Sequence, residues 1–489
     1  MSLSFKTGLL SGACALALVA VSVPAYAQDD ISTLRQQLDA MKERLAKLEA
    51  DKQDKRRVAA AAAVEAGDKP RSWKLPGTNT SMNIGGFVKM SLHYNFTGGA
   101  QTGGAHTEGA GAGVAQLSGS QSDNVFNGGN FEMLARRSRF WIQTWTPTDW
   151  GELRTYIEAD FAGAGAGQGS SSNVLRLRHA YGTLGPVLIG KTLTLFGGLI
   201  GQPELLDDGA PMAPGALRIE QIRYTHNFGG GLTLSVALEE QLTSDDKVAA
   251  NAAAIQGGTC TAAGACVNLP AATFNATNGF FGPVRFPDIT AALQWNFPGG
   301  AVYVSGMVGL LTVDNGGQAG LLQQDDTAFK WGAAIGARYE IARLEFGGLG
   351  YFGYGIGNKY GNGGATGFTD AVLITQVAST SADLRPAQAF GVLGYAQYKL
   401  TDTIRVTGAF NWAENNLADE VPGYYNPALN NKAVLTGKPQ NYWAAYGNLL
   451  WNPVPQVTIG IEYSYQFSGR YNSANAQINR IELAAIYRF

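Results

Sequence analysis

Charge is scarce in this sequence. Asp, Glu, Lys and Arg together make up 15% of the 489 residues, against about 25% in ordinary soluble domains. The net charge is only −2, so there is no broad basic field and no nucleic-acid partner is expected. Histidine is scarcer still. His93, His106, His179 and His226 are scattered and give no zinc-ligand spacing. No metal or other cofactor is expected, and without a Ser/His/Asp set no enzyme is expected. Cysteine occurs only at Cys14, Cys260 and Cys266. Mean hydropathy is −0.07, too low for a bundle of membrane helices, each of which needs about 20 apolar residues.

What is plentiful points elsewhere. Gly accounts for 64 residues and Tyr for 20, the first well above the roughly 7% average. Few charges, many Gly and Tyr, and neutral hydropathy suit strands whose side chains alternate between lipid and water. The last stretch, NRIELAAIYRF, shows this directly. Ile481, Leu483, Ala485, Tyr487 and Phe489 fall on one face; Arg480, Glu482, Ala484, Ile486 and Arg488 fall on the other.

Residues 1–27 read as a secretory signal. Lys6 gives the positive start, LLSGACALALVAVSV the apolar core, and Ala25-Tyr26-Ala27 a cleavage box before Gln28. An uncleaved anchor helix is the alternative, but the run is short for one. In an oxidising compartment Cys260 and Cys266 are expected to pair and staple their small-residue loop. Next, over residues 28–57, Ile31, Leu34, Leu38, Met41, Leu45 and Leu48 recur at 3-4-3-4-3 spacing, the a/d seam of a coiled coil. About three heptads do not hold an isolated helix, so a constitutive oligomer is expected to supply partner helices. An amphipathic helix lying on its own domain is the alternative. Residues 58–81, Ala-rich and then carrying Pro and Gly, read as a linker.

Residues 82–489 hold strand-length runs separated by alternating short and long connections. Sixteen runs can be counted, with tight turns such as GP, PGG and VPQ on one side and long loops on the other. An even strand number with that asymmetry is the pattern of a closed antiparallel transmembrane β-barrel, and lipid tolerates no open sheet edge. Trp145, Trp295, Phe297, Trp451, Tyr487 and Phe489 near run ends suit interfacial girdles. A propeller or β-helix would need repeats of similar length, and the loops here are too unequal.

Gly185 to Thr192, GPVLIGKT, formally fits a phosphate-binding loop. That motif needs a helix after it, whereas TLTLF alternates like a strand, so Lys191 is read as pointing into the lumen. The segment 197–216 carries Leu199, Ile200, Leu205, Leu206 and Met212 beside Glu204, Asp207 and Asp208. A bore of sixteen strands is too wide for side chains to fill, so this segment is expected to fold inward as a constriction. A surface loop gripping a neighbouring subunit is the alternative.

Phase then assigns the arginines. Phe140 and Ile142 face out, so Arg139 faces in. Leu153, Ile157 and Phe161 face out, so Arg154, Tyr156, Glu158 and Asp160 face in. Leu175, Leu177 and Tyr181 are read as outward, leaving Arg176 and Arg178 inward; Ile222 and Tyr224 leave Arg223 inward. Arg on the lipid side would cost about 2–4 kcal/mol at the midplane. These five form a basic wall opposite the acidic loop, a transverse field favouring anions such as carboxylates. Arg simply lining any wet pore is the bland alternative.

ARRSRFWIQTWTPTDWGELRTYIEADF, LRLRHAYGTLGPVLIGKT, PELLDDG and QIRYTHNF, behind a heptad segment and before a terminal Phe, resemble the DcaP-like family of outer-membrane porins. The resemblance implies a homotrimer of sixteen-stranded barrels in the bacterial outer membrane, among lipid and lipopolysaccharide, with a periplasmic coiled coil and uptake of small, often dicarboxylate-like, anions. It implies that Tyr487 and Phe489 belong to the signal read by the barrel-assembly machinery. The expectation is therefore a passive diffusion channel. The alternative is a structural anchor whose coiled coil contacts the periplasmic cell-wall layer.

Overall fold

The computed structural model describes residues 27–61, 65–97, 129–163, 174–197, 200–207, 217–241, 248–250, 286–314, 325–361, 368–375, 382–417, 439–471 and 475–489. The leader up to residue 26, Asp208, Met212 and the Cys260/Cys266 pair lie outside the described residues, as do the side chains of Ile31 and Leu34. The chain divides into two compact units, Met1–Glu65 and Ala66–Phe489.

The first unit contains one helix, α1 (Ala27–Ala61), 35 residues long. It runs four residues past the expected boundary at 57, because Ala59, Ala60 and Ala61 are the best helix formers. Leu38, Met41, Leu45 and Leu48 are 50%, 62%, 61% and 68% exposed. The heptad stripe is thus uncovered on a single chain.

The second unit is the barrel. Its strands are β1 (Ser81–Thr97), β2 (Asn130–Leu134 continuing as Arg139–Thr148), β3 (Gly151–Gly163), β4 (Val174–Leu184), β5 (Val187–Leu193), β6 (Arg218–Gly229), β7 (Leu232–Glu239) and β8 (Asp288–Phe297). They continue as β9 (Gly300–Asp314), β10 (Asp325–Ile341), β11 (Leu344–Tyr354), β12 (Gln388–Lys399), β13 (Ile404–Asn416), β14 (Pro439–Val454), β15 (Val457–Arg470) and β16 (Ala476–Arg488). Each pairs antiparallel with its sequence neighbours. β16 returns to β1, from Phe87↔Arg488 to Thr97↔Asn479, so the sheet closes on itself. Phe489 completes the seam. Its N–H donates to Gly86 O at 3.1 Å, and Gly86 N–H donates to Phe489 O at 3.3 Å. A Cβ at Gly86 would lie 2.4 Å from Arg139 O and 2.7 Å from the Phe489 ring, so this position takes only glycine.

The turns at 149–150, 185–186, 230–231, 298–299, 342–343, 400–403 and 455–456 are short, and the opposite end carries the long connections. Gly185 to Thr192 forms the β4–β5 turn and most of β5, with a strand where a phosphate loop needs a helix. Along β15, Ile459, Ile461 and Tyr463 are exposed while Glu462 and Ser464 are buried, the alternation of a lipid-facing wall. Trp295, Tyr339, Trp451, Tyr487 and Phe489 lie exposed near the short-turn end. Trp145 does not join them. It registers with Arg154 on the inner face, the inward phase already set by Arg139, Trp141 and Gln143.

The phase assignment of Tyr181 is corrected by an irregularity, and the inward reading of Lys191 by its register. Glu158 registers with His179, but Ala159 registers with Leu177, so Arg178 is an extra residue in β4. A bulge of this kind reverses the alternation beyond it. Tyr181 therefore faces inward, paired with Tyr156 at 5.5 Å between ring centroids. Lys191 registers with Ala180 and Glu220, on the face of the exposed Ile189 and Ile222. It points outward and pairs with Glu220 at 2.9 Å.

The interior is not uniformly wet. Phe196, Met307, Tyr351, Ile356, Tyr360, Phe368, Leu393 and Tyr442 belong to one buried apolar cluster inside the wall. A bore this wide cannot be filled by strand side chains alone; connecting segments supply part of the filling.

Candidate functional site

β2, β3 and β4 bring the arginines together. Asp160 accepts from Arg176 Nε at 2.9 Å and Nη2 at 2.6 Å, and from Arg178 Nη1 at 2.7 Å. Glu158 accepts from Arg178 Nε at 2.9 Å and Tyr156 OH at 2.6 Å, and pairs with Arg139 Nη1 at 3.1 Å. The bulge lets Arg178 reach both carboxylates. Three guanidiniums are thus held close by two buried anions, so repulsion among the cations is offset without matching their number.

Arg154, Arg223 and a residue that phase reading missed, Arg218, hold neutral acceptors. With the Gln143 amide oriented so that its oxygen faces Arg154, Arg154 Nε and Nη2 donate to it at 3.0 Å. Arg223 Nε donates to Gln221 Oε1 at 2.8 Å and Nη2 to Leu193 O at 2.5 Å. Arg218 Nε donates to His179 Nε2 at 3.0 Å, which leaves His179 Nδ1 to carry the proton shared with Thr192 Oγ1 at 3.0 Å. Arg218 opens its strand, where alternation with Ile219 gives little phase to read.

The β5–β6 connection lies inside the barrel. The Tyr303 hydroxyl donates to Leu195 O, and Gly197 N–H donates to Ser305 Oγ at 3.1 Å. Ile200 lies over Gly336 of β10, where a Cβ would strike its carbonyl at 2.4 Å. Further along, Glu204 takes Arg405 Nε at 2.7 Å and Nη2 at 2.5 Å, and its carbonyl accepts from Asn448 Nδ2 at 2.8 Å. Leu206 N–H and Asp207 N–H donate to the Glu462 carboxylate at 2.8 Å and 3.1 Å. Leu206 packs on Leu450 and Ala484. Lys89 Nζ donates to Leu206 O, and Arg480 stands 3.6 Å from Asp207.

These contacts run along the wall from β9 to β16 and on to β1. The arginine cluster sits on β2, β3, β4 and β6. The arginine cluster and the described loop contacts thus lie on different arcs of the bore. Among the described residues of the loop, Glu204 and Asp207 do not stand bare, because they meet Arg405 and Arg480. The inward phase of both arginines was legible, Arg405 between Ile404 and Val406 and Arg480 beside Ile481; the distance in sequence hid their partners.

The sequence profile of the porin subfamily matches residues 73–485. The chain belongs to the porin subfamily. Among solved structures, this porin is similar to the outer membrane channel DcaP of Acinetobacter baumannii, with a TM-score of 0.64 and 20% identity over 87% of this chain and 100% of that one. It is also similar to an anion-selective porin from Comamonas acidovorans, with a TM-score of 0.46 and 8% identity over 84% and 100% of the two chains. The trimer form of OmpT of Vibrio cholerae matches at a TM-score of 0.45 and 10% identity, over 84% and 99%. No curated protein sequence matches this porin. Family and fold point to a channel of the bacterial outer membrane rather than an enzyme.

Proposed function

We propose that this porin is a passive diffusion channel for small hydrophilic solutes, with a preference for anions such as dicarboxylates. One observation carries the reading. Arg139, Arg176 and Arg178 outnumber the two carboxylates between them, while Arg154, Arg218 and Arg223 hold neutral acceptors. Guanidiniums are thus concentrated on one arc of the bore, and their forks suit carboxylate oxygens. Of the described loop carboxylates, Glu204 and Asp207 pair with Arg405 and Arg480 rather than facing the arc.

The porin assembles, on this reading, as a homotrimer whose α1 helices join through the heptad stripe, in the outer membrane among lipid and lipopolysaccharide. Tyr487 and Phe489 present the assembly signal. The zero-current potential across a planar bilayer in a salt gradient tests the preference. A potential of the sign set by anion flow is expected; one set by cation flow would overturn it.

A further inference from the structure

The apolar cluster inside the barrel contains chain that is neither strand nor β5–β6 loop. After Tyr354 the β11–β12 connection turns into the bore. Gly355 N–H donates to Ala387 O at 2.9 Å, and a single wide turn follows at Gly357–Gly361. Ile356, Tyr360 and Phe368 are completely buried. The wall is shaped to receive them. A Cβ at Gly332 would lie 2.7 Å from Ile356 Cδ1 and 3.0 Å from the Phe196 ring; one at Gly353 would lie 2.7 Å from Ile356 Cδ1.

Polar contacts fix the segment as firmly as packing does. Tyr360 OH donates to Asp288 Oδ2 at 2.6 Å. Lys330 Nζ stands 3.1 Å from the same oxygen, with both side chains wholly buried, and 5.8 Å from the centre of the Tyr360 ring. Thr369 N–H donates to Asn415 Oδ1 at 2.9 Å, and Asn358 N–H to Asp370 Oδ1 at 2.8 Å. Tyr360 meets Phe196 edge to face at 5.5 Å. Phe196 belongs to the β5–β6 loop, which is pinned beside it: Thr194 Oγ1 and Leu195 N–H donate to Glu239 at 2.7 Å and 2.9 Å, and Thr290 Oγ1 donates to the same carboxylate at 2.9 Å. Two connections from distant parts of the chain thus meet in the bore over β7, β8 and β10.

We infer that residues 355–361 and 368–370 of the β11–β12 connection form a second constriction element, positioned by Asp288. It closes the side of the bore walled by β8 to β13 and confines solute to the arc carrying Arg139, Arg178 and Arg223. A removable surface loop would need neither a buried ion pair nor glycines cut to its shape. Burying Asp288 and Lys330 is costly unless they are paired, and Tyr360 adds a hydrogen bond to the Asp288 Oδ2 that Lys330 faces. The inference rests on the channel reading and adds that the pore is off-centre.

The test is single-channel recording of the full-length porin beside a variant in which residues 357–370 are replaced by a short Gly-Ser bridge. Conductance is expected to rise about twofold or more, because bore width limits flux. The anion/cation permeability ratio is expected to fall, because ions pass farther from the arginines. A variant that runs as a folded barrel by heat-modifiable gel mobility, yet conducts and selects like the native porin, overturns the inference. Should the excision not fold, Tyr360→Ala decides. It is expected to raise both conductance and open-channel noise, and native values for both would overturn the inference equally. A native porin that passes no current would instead sink the channel reading itself.

Discussion

The Glu462 carboxylate accepts the backbone N–H of Leu206 at 2.8 Å, and with its other oxygen that of Asp207 at 3.1 Å. One side chain of β15 thereby clamps the middle of a loop that starts at β5. Hydrogen bonds to a charged acceptor contribute about 1.5–3 kcal/mol each way of counting. Glu462→Ala should therefore lower the unfolding temperature of the detergent-solubilised barrel and increase open-channel noise. Glu462→Gln, which keeps one acceptor oxygen, should fall between. Unchanged noise in the alanine variant would show that Lys89, Asn448 and Arg480 hold the loop without it.

Arg178 bridges Glu158 and Asp160, and its reversal of charge is the sharpest test of the basic arc. Arg178→Glu leaves two guanidiniums beside three carboxylates, where three guanidiniums had outnumbered two carboxylates. The local free energy of a passing anion should rise by about 1 kcal/mol, which corresponds to roughly a fivefold drop in the anion/cation ratio. Arg139→Glu and Arg223→Glu should act in the same direction, Arg223 with the least structural disturbance because it holds only neutral acceptors. Zero-current potentials report the ratio. A ratio untouched by all three would remove these residues from the solute's route.

Much of the architecture was legible because lipid enforces it. An outward Ile461 beside an inward Glu462 is a two-residue statement of which side is wet, and sixteen such runs give a closed barrel. The bulge at Arg178 was not legible. Nothing in LRLRHAY marks an extra residue, since Arg176, Arg178 and His179 are all polar and either phase accommodates them. Beyond the bulge, still in β4, Tyr181 turns in; in β5 Lys191 turns out with Ile189, two residues before it. The second in-folded connection was hidden for another reason: Ile356, Tyr360 and Phe368 find their partners on β8, β10 and the β5–β6 loop, far away in sequence.

That reversed phase can be checked with cysteines. Tyr181→Cys should react with a charged, membrane-impermeant thiol reagent and reduce channel current. Lys191→Cys should leave the current unaffected, because Lys191 shares its face with Ile189 and Ile222. Modification of position 191 with loss of current would restore the uninterrupted alternation and remove the bulge.

The exposed stripe on α1 leads to an assembly experiment. Leu38, Met41, Leu45 and Leu48 lie at 50–68% exposure, and burying a Leu contributes about 1.5–3 kcal/mol. In the proposed trimer, the contribution repeated around three helices would be large enough to set how readily subunits part, while the barrels keep their own closed hydrogen-bond network. Leu38→Ala with Leu45→Ala should lower the temperature at which a native oligomer band dissociates on a gel. The monomer should keep its β-rich circular dichroism and its heat-modifiable mobility. Dissociation at the native temperature would mean that the stripe rests on something other than its copies, and that the barrel walls alone hold the subunits together.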